Sequence, residues 1–257
     1  MIYLLAIGGA FWQQWKTLGS GWNFAVGMVA NVPIVAALAW VATQSNRSGV
    51  VGYAAIGLFL MTLWNQSQLG MRWSVYGEAY AGTLEFSLIS RAPLMAFLVG
   101  KALAHALAAA RPALAALIVA LILAPEMPQV PNPSGLAISV LAATLGVLAT
   151  AFIFAPLQVI AARQLDSVLS IRPFVIVLSG FLYPVSLLPA GVALVARIFP
   201  TSWAMDAVLL SLQGGASAEI IVDVLTALGL SVLYLLVTWG LFQLVEGRVR
   251  ATGALIT

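Results

Sequence analysis

Apolar residues gather into long runs separated by short polar stretches. The runs cover about 22–42, 50–69, 94–124, 136–160, a fifth beginning near Val168, and 220–244. A helix crosses a bilayer with roughly 18 or more apolar residues, so the pattern predicts six transmembrane helices. Asn31 and Pro33 interrupt the first, where neighbouring helices can satisfy the freed backbone groups. The second ends on the polar Trp64-Asn65-Gln66-Ser67-Gln68. Two readings stand for that end: it reaches the interface between the anchors Trp64 and Trp73, or it lines an interior surface. Pro125, Pro128, Pro131 and Pro133 make 124–135 a loop. Pro184, Pro189 and Pro200 forbid one continuous helix after the fifth run.

At the N-terminus, Phe11, Trp12, Trp15 and Leu18 fall on one helical face. Gln13, Gln14, Lys16 and Thr17 fall largely on the other, which predicts an interfacial helix over 1–20 along the cytoplasmic leaflet. In the third run Lys101 is expected to snorkel, and His105 sits at headgroup level or packs inside. Arg111 comes ~15 Å deeper at a helical rise of ~1.5 Å per residue. At that depth it needs water, a carboxylate or a partner chain.

Composition sharpens this picture. The 257 residues are 62% hydrophobic and only 7% charged, with mean hydropathy +1.05. The expectation is an all-α integral membrane protein in the cell (inner or plasma) membrane. The net charge is +3, but the basic residues are scattered between apolar runs rather than clustered, which argues against nucleic acid. With six spans, Lys16, Arg72, Arg91, Lys101, Arg163, Arg172, Arg248 and Arg250 share one side, against Arg47 and Arg197 on the other. The positive-inside rule then puts both termini in the cytoplasm. The chain has no cysteine and one histidine, so thiolate chemistry and a histidine metal site are excluded. No Gly-x-x-x-x-Gly-Lys-[Ser/Thr] loop occurs, because Met95 stands where the first glycine before Gly100-Lys101 would be. The chain is thus expected to bind no cofactor and to catalyse nothing itself.

The stretch from Met71 to Lys101 is read as the largest cytoplasmic feature. It holds Arg72, Glu78, Glu85, Arg91 and Lys101. Gly77 and Gly82 allow the backbone to break. A short helix is expected over Thr83–Arg91, with Leu84, Leu88 and Ile89 on one side and Glu85 and Ser87 elsewhere. Pro93 marks the next element. On the residues alone this is either a docking surface for another protein or a solvated connector.

Two segments carry a family resemblance. Glu78-Ala79-Tyr80-Ala81-Gly82-Thr83-Leu84-Glu85, then Pro93 and Gly100-Lys101, resembles the Glu…Gly-Thr-Leu-Glu…Pro…Gly-Lys run of ABC-2 type transporter permeases. Ser179-Gly180 through Pro184-Val185-Ser186-Leu187-Leu188-Pro189 resembles that family's Ser-Gly…Pro-x-Ser-x-Leu-Pro segment. The block from Pro200 to Ala207 follows it, with Trp203 where the family more often has tyrosine. The basic residue that often comes next in the family is replaced here by Val208-Leu209-Leu210.

The resemblance implies the membrane subunit of an ABC exporter, with ATP and Mg bound by a separate ATPase subunit. It implies a coupling segment over 71–93, in which Glu78, Gly82, Thr83, Leu84, Glu85, Leu88 and Arg91 meet that ATPase. It implies short re-entrant helices over 184–215. It also implies pairing, as a homodimer or with a second permease. Asn65, Gln66, Gln68, Ser179, Tyr183 and Arg111 are the candidates for the shared seam or pathway. The low charge inside favours an amphipathic or hydrophobic cargo, a small molecule or a lipid.

Two other readings compete. Glu78-Ala79 followed by Gly82 faintly resembles the importer permeases' loop, but it comes in the first cytoplasmic loop and its glycine spacing is too short. The alternative is an ion-coupled secondary transporter or channel, which usually leaves a carboxylate inside a span. Here Glu78, Glu85, Asp166, Glu246, Glu126, Asp206, Glu219 and Asp223 all map near span ends or loops.

Overall fold

In the computed structural model, described over residues 2–18, 48–80, 94–122, 129–160 and 172–252, every regular element is helical. Eight α-helices follow in order: α1 (Ile2–Leu18), α2 (Ser48–Tyr80), α3 (Leu94–Ile122), α4 (Pro133–Ile160), α5 (Arg172–Leu178), α6 (Ala190–Ala196), α7 (Pro200–Gln213) and α8 (Ser217–Thr252). A 3-10 turn, Val185–Leu187, lies between α5 and α6.

Among the described residues three helices are long and apolar enough to cross a membrane: Ala96–Ile122, Pro133–Phe154 and Ser217–Leu244. The α6–α7 pair, bent by 104°, makes a fourth if it is one broken span. Three of the six expected spans are thus found among the described residues. The first, 22–42, lies outside the described residues. Of the fifth only Arg172–Leu178 is described. The second is a long helix whose apolar character stops at Trp64.

The helices pack in the order α1–α3–α2–α4–α8, and α7 wedges between α4 and α8 while touching α2. Side-chain size explains the α2–α3 contact. The inward stripe of α3 is alanine at 102, 106, 109, 113, 116 and 120. Small residues let the backbones approach, and α2 fills the space with buried Leu58, Leu60, Met61 and Trp64. On α8 the buried stripe is Ile220, Val224, Ala227, Ser231, Thr238 and Phe242, while Leu225, Leu233, Leu236 and Trp239 face outward. Its buried hydroxyls bond back to their own helix, Ser231 to the Ala227 carbonyl and Thr238 to that of Tyr234, both at 2.7 Å.

Several boundaries differ from the sequence reading. α2 does not break at Gly77 but runs to Tyr80, so Met71–Tyr80 continues the second helix. One interior glycine costs a helix only ~1 kcal/mol, which 33 residues absorb. Of the cytoplasmic segment expected over 71–93, residues 71–80 form the last turns of α2, and 81–93 lie outside the described residues. α4 starts at Pro133 inside the expected loop, because Asn132 caps it: its side-chain oxygen accepts from the Gly135 amide at 2.9 Å. Lys101 does not snorkel. It is buried, 4% exposed, with Nζ 4.6 Å from the Phe97 ring centre. α1 runs beside α3 in the same direction, with Ile7–Phe11 against Gly100 and Trp15–Leu18 against Arg111.

Candidate functional site

The tightest junction joins α2 to the turn that ends α5. Gly180 takes a left-handed φ of +74° there, and its carbonyl accepts a hydrogen bond from the Tyr53 hydroxyl on α2. One helical turn along, Gly57 lets the Phe181 backbone sit directly on the helix. A Cβ at that position would stand 1.8 Å from the Phe181 carbonyl oxygen. Phe181 and Val185 then bury their side chains, and Met205 of α7 closes the far side of Gly180. Tyr53 and Gly57 are thus one contact surface on α2, read by a turn more than 120 residues later.

After the turn the chain folds into a knee. Pro184 precedes the 3-10 turn, Pro189 precedes α6, and Pro200 opens α7. Proline suits each place, since the first amide of a helix has no internal partner. Arg197, ending α6, holds the bend. Its guanidinium binds Asp206 of α7 at 2.5 Å and lies 4.6 Å over the Trp203 ring. The Trp203 indole N–H donates to the Arg197 carbonyl at 3.0 Å, and the Tyr234 hydroxyl ties the Ile198 carbonyl to α8 at 3.3 Å. Asp223 on α8 lies within electrostatic reach of Asp206 and Arg197.

The clamp has a measurable weight. Breaking a partly exposed ion pair falls between the ~0–1 kcal/mol of surface pairs and the ~3–5 kcal/mol of buried ones. Arg197→Gln should therefore lower stability by about 1–2 kcal/mol in a detergent-solubilised thermal melt. Arg197→Lys should recover only part, because an ammonium cannot stack and fork at once. An unchanged melting temperature for Arg197→Gln would show that the bend is held elsewhere.

The predicted site residues divide. Ser179 is buried in the docked turn, and its hydroxyl has no hydrogen-bond partner among the described residues. Tyr183 is half-buried beyond it. Asn65 and Gln66 are half-buried, and Gln68 is buried, its amide donating to the Ala151 carbonyl of α4 at 3.3 Å. Gln68 thus packs between α2 and α4. Along α2 it is ~16 Å from Gly57, so the polar end and the Ser179 turn are separate places. Arg111 belongs to neither. It is exposed on the far side of α3, 5.1 Å over the Trp15 ring and 3.5 Å from the Leu18 carbonyl. Glu78 is in the last turn of α2, while Gly82, Thr83, Leu84, Glu85, Leu88 and Arg91 lie outside the described residues.

Sequence reasoning missed Tyr53, Gly57 and the Arg197–Asp206–Trp203 clamp. A tyrosine and a glycine four apart on an apolar helix signal a close approach, but not what approaches. Among the described residues no group of three or more His, Asp or Glu could hold a metal ion. No protein-family model matches the chain, and no curated protein matches it.

Proposed function

We propose that the chain is the membrane subunit of an ABC-2 type exporter, moving an amphipathic or hydrophobic substrate with ATP hydrolysed by a separate ATPase subunit. One observation carries the reading. The residues of the second resembling segment fall on the joints of the fold: Ser179-Gly180 at the docked turn, Pro184 and Pro189 before the short helices, and Pro200 at the start of α7. A helix pair bent by 104° at that place is the geometry a re-entrant segment requires. The apolar outer faces of α3, α4 and α8 suit a membrane.

In this reading the protein sits in the cell membrane with both termini in the cytoplasm, and two permease subunits form the pathway. The segment 71–93, which begins on the last turns of α2, meets the ATPase. The ATPase holds ATP and Mg, and this chain supplies the lever and the path.

The test is transport by proteoliposomes holding this chain and its co-expressed ATPase. Transport should require ATP and stop when the ATPase's phosphate-binding lysine is replaced. Uptake or efflux that persists with the disabled ATPase, driven by an ion gradient alone, would sink the proposal and favour the ion-coupled reading.

A further inference from the structure

The outward edge shared by α1 and α3 combines features that the transport reading does not use. Leu107, Arg111, Leu114 and Ile118 follow one another on the exposed side of α3, so a guanidinium interrupts an apolar ridge. Beside it, α1 exposes Tyr3, Leu4, Leu5 and Trp12. Two cations lie here, each held on an indole: Arg111 at 5.1 Å over Trp15, and Lys16 with Nζ 5.4 Å from the Trp12 ring centre. Trp12 and Trp15 are one helical turn apart, so both cations lie along the last turns of α1. The ion pair formed by the described residues is Arg197–Asp206, in the knee and not on this edge.

Two like charges on an apolar surface repel one another and lack the solvation that water gives. Stacking on tryptophan relieves part of this, and the Leu18 carbonyl takes one of the five N–H donors of Arg111. The remaining donors form a fork that suits phosphate, with the lysine as a second point charge. Indoles beside cations are also what membrane headgroup regions select.

We propose that Lys16 and Arg111, framed by Trp12 and Trp15, bind the phosphate headgroup of an anionic phospholipid. The apolar neighbours decide for lipid over a soluble anion, because Leu107, Leu114 and Ile118 would pack the acyl chains below the headgroup. Arg111 is ~15 Å along α3 from Lys101 and ~16 Å from Ile122. A headgroup bound there is drawn inward, with the local thinning that arginines on spanning helices produce. The lipid thereby fastens α1 to α3 at the same place where the Arg111–Leu18 contact does.

The experiment is native mass spectrometry of the purified full chain, delipidated and then offered phosphatidylglycerol or phosphatidylcholine. Wild type should retain phosphatidylglycerol preferentially. Lys16→Gln and Arg111→Gln should each lower that retention about fivefold, as expected for one basic residue near an anionic surface. Arg111→Lys should keep only part of it, because an ammonium cannot stack and fork at once. If Arg111→Gln fails to fold, Lys16→Gln alone decides. Equal retention of both lipids, or of phosphatidylglycerol by wild type and Lys16→Gln, overturns the proposal. So does displacement of the lipid by millimolar inorganic phosphate, which would mark a soluble-anion site. Loss of a dimer in the variants with lipid retention unchanged would instead assign the cations to a carboxylate of a second copy.

Discussion

Gly57→Ala should destabilise the fold strongly. The added methyl would lie 1.8 Å from the Phe181 carbonyl oxygen and 2.8 Å from its carbon, and both are backbone atoms. They cannot swing aside as a side chain would. Gly180 is fixed in a left-handed conformation and bonded through its carbonyl to Tyr53, so moving the turn also gives up that bond. Overpacking of a tight core costs ~1–3 kcal/mol, and losing a buried hydrogen bond adds ~1 kcal/mol. A total near 3–4 kcal/mol is a large part of the ~5–15 kcal/mol by which a domain is stable. Tyr53→Phe isolates the second term and should cost ~1 kcal/mol. Gly229 and Gly240 on α8 are the controls, because a Cβ at either meets nothing within 4 Å. Alanine there should be neutral or slightly stabilising. Size-exclusion profiles and thermal melts of the four variants give the comparison. A wild-type melting temperature for Gly57→Ala would mean that the turn does not dock on α2.

The helices were legible where apolar length alone decides them. The third, fourth and sixth runs appear as α3, α4 and α8, each near its expected range. Ends were less legible because they depend on single polar contacts. Asn132 starts α4 inside a proline-rich stretch by accepting the Gly135 amide. Gly77 allows a break, yet α2 runs through it to Tyr80. Burial was least legible. Lys101 and Arg111 carry the same charge on one helix, but Lys101 faces the chain interior and Arg111 faces out. Hydropathy runs do not contain that distinction, since it depends on where α1 and α2 pack. The docked turn is a harder case still. Pro184 and Pro189 signal a break after the fifth run, whereas the seat of Gly180 and Phe181 on Tyr53 and Gly57 is a non-local fact.

Leu84→Asp should release the ATPase, on the reading that the stretch from Gly77 to Arg91 is its docking segment. α2 continues unbroken from Gly57 to Tyr80, so the segment hangs from a stiff rod. Over the 21 residues between Gly57 and Glu78 that rod is ~32 Å long. A push at its end would reach the Tyr53–Gly180 junction and, through Met205 beside Gly180, the knee. Affinity at the docking end should come mainly from apolar side chains. Burying a leucine contributes roughly 1.5–3 kcal/mol, whereas an exposed ion pair contributes ~0–1 kcal/mol. Leu84→Asp removes the first contribution and adds the cost of desolvating a carboxylate, so binding should weaken by at least ~tenfold to hundredfold. Glu78→Gln, which removes only an ion pair, should weaken it by less than ~fivefold. Co-purification of the ATPase with each variant, followed by its ATP hydrolysis rate in proteoliposomes, separates the two effects. Should Leu84→Asp retain the ATPase and support normal transport, the stretch is a solvated connector, and the force on α2 must enter elsewhere.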